Sequence, residues 1–302
     1  MKSRSDYLRM QGVKHRIAWF LLAVSLWLAP AAAYAVPLET IQIAGLQVAT
    51  WLPRGTGSST PPIIFSHSYG ACETYHEYIT QALANAGYAV FAPMHEDSRC
   101  NPVNQGKIVN QPKISFFTPA LWNDQTYADR MQDIKKLIDA LSSDPRYKGL
   151  DWNHLGLAGH SLGGYAALSL AGAWPAWKDS RIKAVLALSP YARPFVEHHT
   201  LGNMTVPVMY QGGTNDWLGK DILKSGGLYD ETVAPKSCVI FTNANHLIWL
   251  DTGLDQYKYE VTDYGVAFFD YYLRGKAFPQ KLTTPSEDIK DLRLQDMAIK
   301  QQ

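Results

Sequence analysis

Eight short, unbroken apolar runs punctuate the chain, at residues 40–45, 47–53, 62–68, 88–94, 154–160, 182–190, 206–213 and 238–243. Runs of this length, rich in Val, Ile, Ala and Phe and bounded by Gly, Pro, Asn or Asp, read as strands. They lack polar alternation, which is what strands covered on both faces require. Stretches with helical spacing fall between most of them, at about 73–86, 124–142, 162–173, 218–226 and 257–274. The alternation predicts an α/β architecture: a mostly parallel central sheet of about eight strands with helices on both faces. No helix separates 40–45 from 47–53, so these two form an antiparallel pair at one edge.

Size and charge narrow the reading. A chain of 302 residues that is 46% apolar and 18% charged suits one large globular domain or at most two, and a net charge of +1 gives no reason to expect a nucleic-acid partner. The N-terminus departs from the rest. Lys2, Arg4, Arg9, Lys14 and Arg16 precede an apolar run at 17–28, then Pro30, then Ala33 and Ala35 in a small-x-small arrangement. This predicts a signal peptide over residues 1–35, with Val36 opening a catalytic domain at 36–302 and a secreted or periplasmic location. An uncleaved anchor is the alternative. The run is short for a membrane span, so no stable membrane insertion is expected after cleavage.

The chemistry centres on Gly159-His160-Ser161-Leu162-Gly163, which lies between a strand and an Ala/Leu-rich helix. In that setting G-x-S-x-G holds a serine on a strained strand-to-helix turn at the carboxyl edge of the sheet. A serine hydroxyl needs a base, and the base needs a carboxylate to orient it. Asp216 follows one strand and His246 follows the next, both at the same predicted edge. Ser161, Asp216 and His246 therefore form the expected catalytic set. Asp230, Asp251 and Asp255 are alternates for the acid, though none directly follows a strand. His198 and His199 lie too early for the order, and His154 and His160 too close to Ser161.

The oxyanion donors expected are the backbone N–H groups of Leu162 and of Tyr69, in the loop after the strand at 62–68. His67 in that loop is expected to brace it by hydrogen bonding. The long stretch 96–123 leaves a carboxyl edge and should border the site. Tyr69, Phe116, Phe117, Tyr191 and Trp217 are candidate substrate walls, with Trp122 and Trp249 as further aromatics that could either line the site or simply pack. There is no CxxC pair, so neither a metal site nor a redox motif is expected. Cys72 and Cys100 each follow a strand of one crossover unit. They are expected to form a disulfide that leaves Cys238, in an apolar run, as a buried thiol.

These segments resemble those of α/β-hydrolases of the dienelactone hydrolase and platelet-activating-factor acetylhydrolase type. "IIFSHSYGA" is similar to that group's F-S-H-G-x-G-A segment, with Ser68 where the group has Gly. "YAVFAPMHEDSRC" resembles its next strand and loop, "GHSLGG" its nucleophile elbow and "NHLIWLD" its histidine segment. Bacterial cutinase-like polyesterases share the layout, including a final helix such as "GVAFFDYYLRG". The resemblance covers roughly residues 40–275. It implies an α/β-hydrolase fold and a serine esterase acting on small-molecule or polymeric esters without a cofactor. A lipase or cutinase-like polyesterase is the near alternative. A secreted serine peptidase and a non-catalytic binding protein on the same fold are the alternatives from other classes.

Overall fold

The computed structural model describes residues 35–109, 114–233 and 235–294. The expected signal peptide lies outside the described residues except for Ala35. From Val36 onward the chain forms one compact unit.

Nine strands make one sheet: β1 (Leu38–Ile43), β2 (Leu46–Trp51), β3 (Pro62–Ser66), β4 (Ala89–Pro93), β5 (Leu155–His160), β6 (Ile182–Leu188), β7 (Val208–Gly213), β8 (Lys236–Phe241) and β9 (Ile289–Arg293). Their order across the sheet is β1-β2-β4-β3-β5-β6-β7-β8-β9. The expected edge pair is present: β1 and β2 are antiparallel, and β2 runs antiparallel to β4. From β4 to β8 every pairing is parallel. The sequence reading expected about eight strands. The ninth, β9, adds antiparallel to β8 at the far edge. Its sequence IKDLR has no apolar run to announce it, because an edge strand is buried on one side at most.

The helices are α1 (Glu77–Asn85), α2 (Ala128–Ser143), α3 (Leu162–Leu168), α4 (Arg193–Glu197), α5 (Gly219–Leu223), α6 (Leu228–Glu231) and α7 (Asp255–Arg274). Two differ from expectation. The helix read over 162–173 stops at Leu168 and continues as a wider π turn through Ala173, where Gly172 takes φ 117°. The helix read over 218–226 stops at Leu223, and α6 starts afresh at Leu228 after Gly226 and Gly227.

Strand period decides which side chains meet which helices. Ile64, Phe91, Leu157 and Val185 point to the face covered by α2 and α3, where Met131, Ile134, Leu137, Tyr165 and Leu168 complete one core. Their chain neighbours Ile63, Phe65, Val90, Ala158 and Leu186 point to the other face, against Ile79 and Leu83 of α1 and Val261, Tyr264 and Phe268 of α7. Every residue of β3, β4 and β5 is buried. Burial on both faces is the reason these strands read as continuous apolar runs.

Parallel pairing sends the loops after β3, β4, β5, β6, β7 and β8 to one edge. Two of those loops are joined there. Cys72, after β3, is bonded to Cys100, after β4, with their Cα atoms 5.4 Å apart. Cys238 is the free cysteine and is buried. Burial pushes its thiol up to about 12. Non-reducing peptide mapping should recover the Cys72 and Cys100 peptides joined, with Cys238 alkylated only after unfolding. Replacing both bonded cysteines by Ala should lower the unfolding free energy by roughly 3 to 4 kcal/mol, as closing a loop of this length predicts. A Cys72–Cys238 peptide would contradict the adjacency of β3 and β4.

Candidate active site

Ser161 is the single residue between the end of β5 and the start of α3. It adopts φ 56° and ψ −116°, a conformation a non-glycine residue rarely takes. The turn is tight because glycines flank it. A Cβ on Gly163 would meet the Ser66 carbonyl oxygen at 1.9 Å, and one on Gly159 would meet the Gly163 carbonyl at 2.4 Å. Any side chain at either position would push α3 off the end of β3. The backbone around the serine is fixed on all sides. Its N–H donates to the Leu188 carbonyl (2.9 Å), while its carbonyl accepts from Tyr191 (3.0 Å) and Tyr165 (3.1 Å).

Asp216 sits three residues beyond β7 and is buried. Its Oδ1 accepts from the Leu218 N–H (2.9 Å), and its Oδ2 accepts from the Ser189 hydroxyl. His246, in the loop after β8, places Nδ1 3.1 Å from both carboxylate oxygens. Burial acts to raise the Asp216 carboxyl, but hydrogen bonds and charge from His246, with Ser189 and the Leu218 amide, hold it below its usual value. An ionised Asp216 keeps the His246 proton on Nδ1 and leaves Nε2 as the basic nitrogen. The His246 ring lies 4.6 Å from that of His160, the chain neighbour of Ser161. The structure thus brings the His246 imidazole beside the Ser161 turn. The Ser161 hydroxyl has no side-chain hydrogen bond among the described residues. Catalytic hydrogen bonds are often loose before substrate binds.

The proposed alternates for the acid have other work. Asp251 accepts from the Glu77 (3.0 Å) and Tyr78 (2.9 Å) amides, capping the start of α1. Asp230 accepts from the Gly226 N–H. Asp255 pairs with Lys258 on the surface.

The loop after β3 carries Tyr69, whose N–H enters no turn or loop hydrogen bond among the described residues. The Leu162 N–H opens α3, where first-turn amides have no intrahelical partner. A buried polar cluster that the sequence did not reveal holds the Tyr69 loop. Arg130, from α2, is wholly buried. Its guanidinium grips Asp97 through both carboxylate oxygens (2.8 Å each) and donates to the His67 carbonyl (2.6 Å). Asp97 in turn accepts from the Gly70 N–H (3.0 Å), and Arg99 donates to the Gly70 carbonyl (2.8 Å). His67 braces the loop as expected. Its Nε2 accepts from the His95 amide, so Nδ1 carries the proton and donates to the Ser68 carbonyl (2.8 Å). Apart from His67, the sequence signal for this cluster was one Arg on an otherwise apolar helix face.

The aromatics divide. Tyr69 and Phe116 are half-buried with rings 5.2 Å apart, and Trp217 is 45% exposed with its ring 6.4 Å from that of His246. These three can face a bound molecule. Tyr191, Trp122 and Trp249 cannot, because each is fully buried. Tyr191 donates its hydroxyl to the Phe116 carbonyl (2.7 Å) and packs against Trp122, so it anchors the 96–123 loop instead of lining a pocket. Trp249 lies behind the His160 ring. Phe117 is 82% exposed and points to solvent. Position after a strand identified these residues, but it cannot say which way a side chain turns.

Burial acts to raise the Asp97 carboxyl, but the Arg130 guanidinium outweighs it and holds the group at about 2. A folded value below the unfolded one, near ~3.9, gives stability that is present above that value and lost as pH falls toward ~2. That contribution is roughly 2 to 3 kcal/mol. Asp97→Asn should cost about 3 to 5 kcal/mol at pH 7, by leaving a buried guanidinium without its partner. Urea unfolding measured across pH should then lose the part of the acid slope between ~4 and ~2 that this pair supplies. An undiminished slope in the variant would refute the assignment.

Among the described residues no group of His, Cys, Asp and Glu is arranged to hold a metal ion, and no helix is long and apolar enough to cross a membrane. No protein-family model matches the chain, and no curated protein matches it.

Proposed function

We propose that the chain is a secreted or periplasmic serine hydrolase of the α/β-hydrolase fold that cleaves carboxylic esters. One observation carries the reading. Three successive features of a parallel sheet meet at one edge: a strained serine after β5, a buried carboxylate after β7, and after β8 a histidine hydrogen-bonded to that carboxylate. The Ser–Asp–His chain order and the antiparallel β1–β2 edge also agree with the resemblance drawn from the sequence.

The chemistry follows from these positions. Ser161 Oγ attacks the ester carbonyl carbon as His246 Nε2 takes its proton. The carbonyl oxygen becomes an oxyanion that the Tyr69 and Leu162 N–H groups receive. Asp216 stabilises the imidazolium without taking its proton. Collapse breaks the bond to the alcohol, which leaves with the proton from His246. Water then attacks the acyl-enzyme, with His246 again as base, to release the acid and restore Ser161. Nothing in this sequence of steps calls for a cofactor.

A non-catalytic role is disfavoured because no member of the set is missing. A polymeric or aggregated ester is a second reading, favoured by exposed apolar side chains on the loops around Ser161. Tyr75, Leu121, Trp217 and Leu247 all stand exposed on loops that leave carboxyl ends of strands.

A fluorophosphonate should label Ser161 covalently, which a binding protein would not permit. Hydrolysis of nitrophenyl esters graded by acyl length, set against aminoacyl amides, then separates esterase from peptidase. Ser161→Ala and His246→Ala should each lower turnover by roughly 10⁴-fold or more with the fold retained. Near-normal turnover in either variant would remove the proposal. If Asp251→Asn were severe and Asp216→Asn mild, the wrong carboxylate would have been chosen.

A further inference from the structure

Ser189 stands where the charge of the Ser161–His246–Asp216 set is held. β6 ends at Leu188, and Ser189 follows it with φ 40°, a left-handed value that an L-residue takes only under constraint. Its amide is tied to the Gln211 carbonyl of β7 (2.7 Å), and the residue is wholly buried. The bend aims the side chain at the acid and base together. Its hydroxyl donates to Asp216 Oδ2, and its oxygen lies 3.0 Å from His246 Nδ1.

A hydroxyl has one proton and two lone pairs. The Ser189 proton goes to the carboxylate, so a lone pair is what it presents to His246. Two consequences follow. Asp216 has a fixed donor on each oxygen, the Leu218 amide on Oδ1 and Ser189 on Oδ2, so it cannot rotate away from the imidazole. His246 Nδ1–H faces three oxygens, two from the carboxylate and one from Ser189. We propose that Ser189 is a positioning residue of the triad, locking Asp216 and sharing the N–H of the imidazolium that forms on His246. The inference rests on the proposed triad.

The ionisable groups around His246 are Asp216 from the β7 loop, His160 at the end of β5, and behind it His76, whose Nε2 is 3.1 Å from His160 Nδ1. Arg193 lies over the Trp217 ring and pairs with Asp221. Burial lowers both His76 and His160, so neither is charged. Asp216 and the Ser189 oxygen are then the groups that stabilise a proton on His246. Losing the hydroxyl should make the imidazolium less stable.

The test uses Ser189→Gly and Ser189→Ala. Glycine relieves the positive φ and alanine keeps it, while both remove the hydroxyl. Both variants should lower kcat roughly tenfold with KM changed less than about twofold. In both, the His246 titration midpoint, followed by NMR of the imidazole, should fall by ~0.5 to 1 pH unit, and the acid limb of the rate profile should move with it. An unchanged midpoint in both variants overturns the proposal. So does normal turnover in the glycine variant alone, which would assign the whole effect to backbone strain. The midpoint is read without turnover. A shifted midpoint in a protein whose Ser161 resists fluorophosphonate would therefore uphold the Ser189 contact and refute the esterase reading.

Discussion

The distance between two backbones governs this sheet edge. α3 begins one residue after β5 and drops onto the end of β3, so closely that any Cβ at Gly163 would overlap the Ser66 carbonyl. The same approach presses Gly164 against Pro190, after β6. Three strand ends are thereby locked around one turn, and Ser161 is the residue forced into a left-handed conformation at its apex. The strain is local, and the core on both faces of the sheet stabilises it. At the centre of that core are β3, β4 and β5, whose every residue is buried. A chain without glycine at these points would have to lift α3 away, which would separate the serine from the loop after β3.

That loop presents a second problem. In the proposed mechanism it must hold an amide toward Ser161 while lying among buried groups. The protein meets this with an ion pair enclosed in protein, Arg130 with Asp97, tied on one side to the Gly70 amide and on the other to the His67 carbonyl. A buried pair offsets its desolvation only when further hydrogen bonds satisfy the remaining donors and acceptors. Here the remaining bonds go to the loop backbone, so the electrostatic requirement of the pair and the geometric requirement of the loop are met by the same contacts. The Cys72–Cys100 bond closes the far end of the loop against the segment that supplies Asp97. Loop, ion pair and disulfide form one unit beside the elbow.

What the sequence made legible, and what it hid, follows from range. Elements that declare themselves locally were readable: the apolar runs of β2 to β8, the glycines around Ser161, and the placement of Asp216 and His246 after strands. The Cys72–Cys100 pairing was readable because it needs only the adjacency of two parallel strands. β9 was hidden because IKDLR has neither a run nor a clean alternation. Arg130 was hidden because its partner lies 33 residues away and a lone arginine on a helix normally faces water. Ser189 was hidden because Ser-Pro after a strand reads as an ordinary turn. Tyr191 was misread as a wall because a residue beside an active-site loop can point inward, as it does beneath Phe116.

The buried histidines bear on how the site can work at all. His67, His76, His95 and His160 are all enclosed near the carboxyl edge, and burial is the largest cause lowering each one. Had any of the four carried charge, it would oppose the imidazolium that the proposed mechanism forms on His246. Kept neutral, they supply hydrogen bonds and ring surface without a competing field. His67 and His95 lock the Tyr69 loop, and His160 supports the face of His246 with Trp249 behind it. The Arg130 guanidinium pairs with Asp97 at hydrogen-bond distance, and Arg193, over Trp217, pairs with Asp221. In the proposed mechanism the positive charge on His246 therefore meets one dominant partner, the carboxylate of Asp216, held from both sides by Leu218 and Ser189.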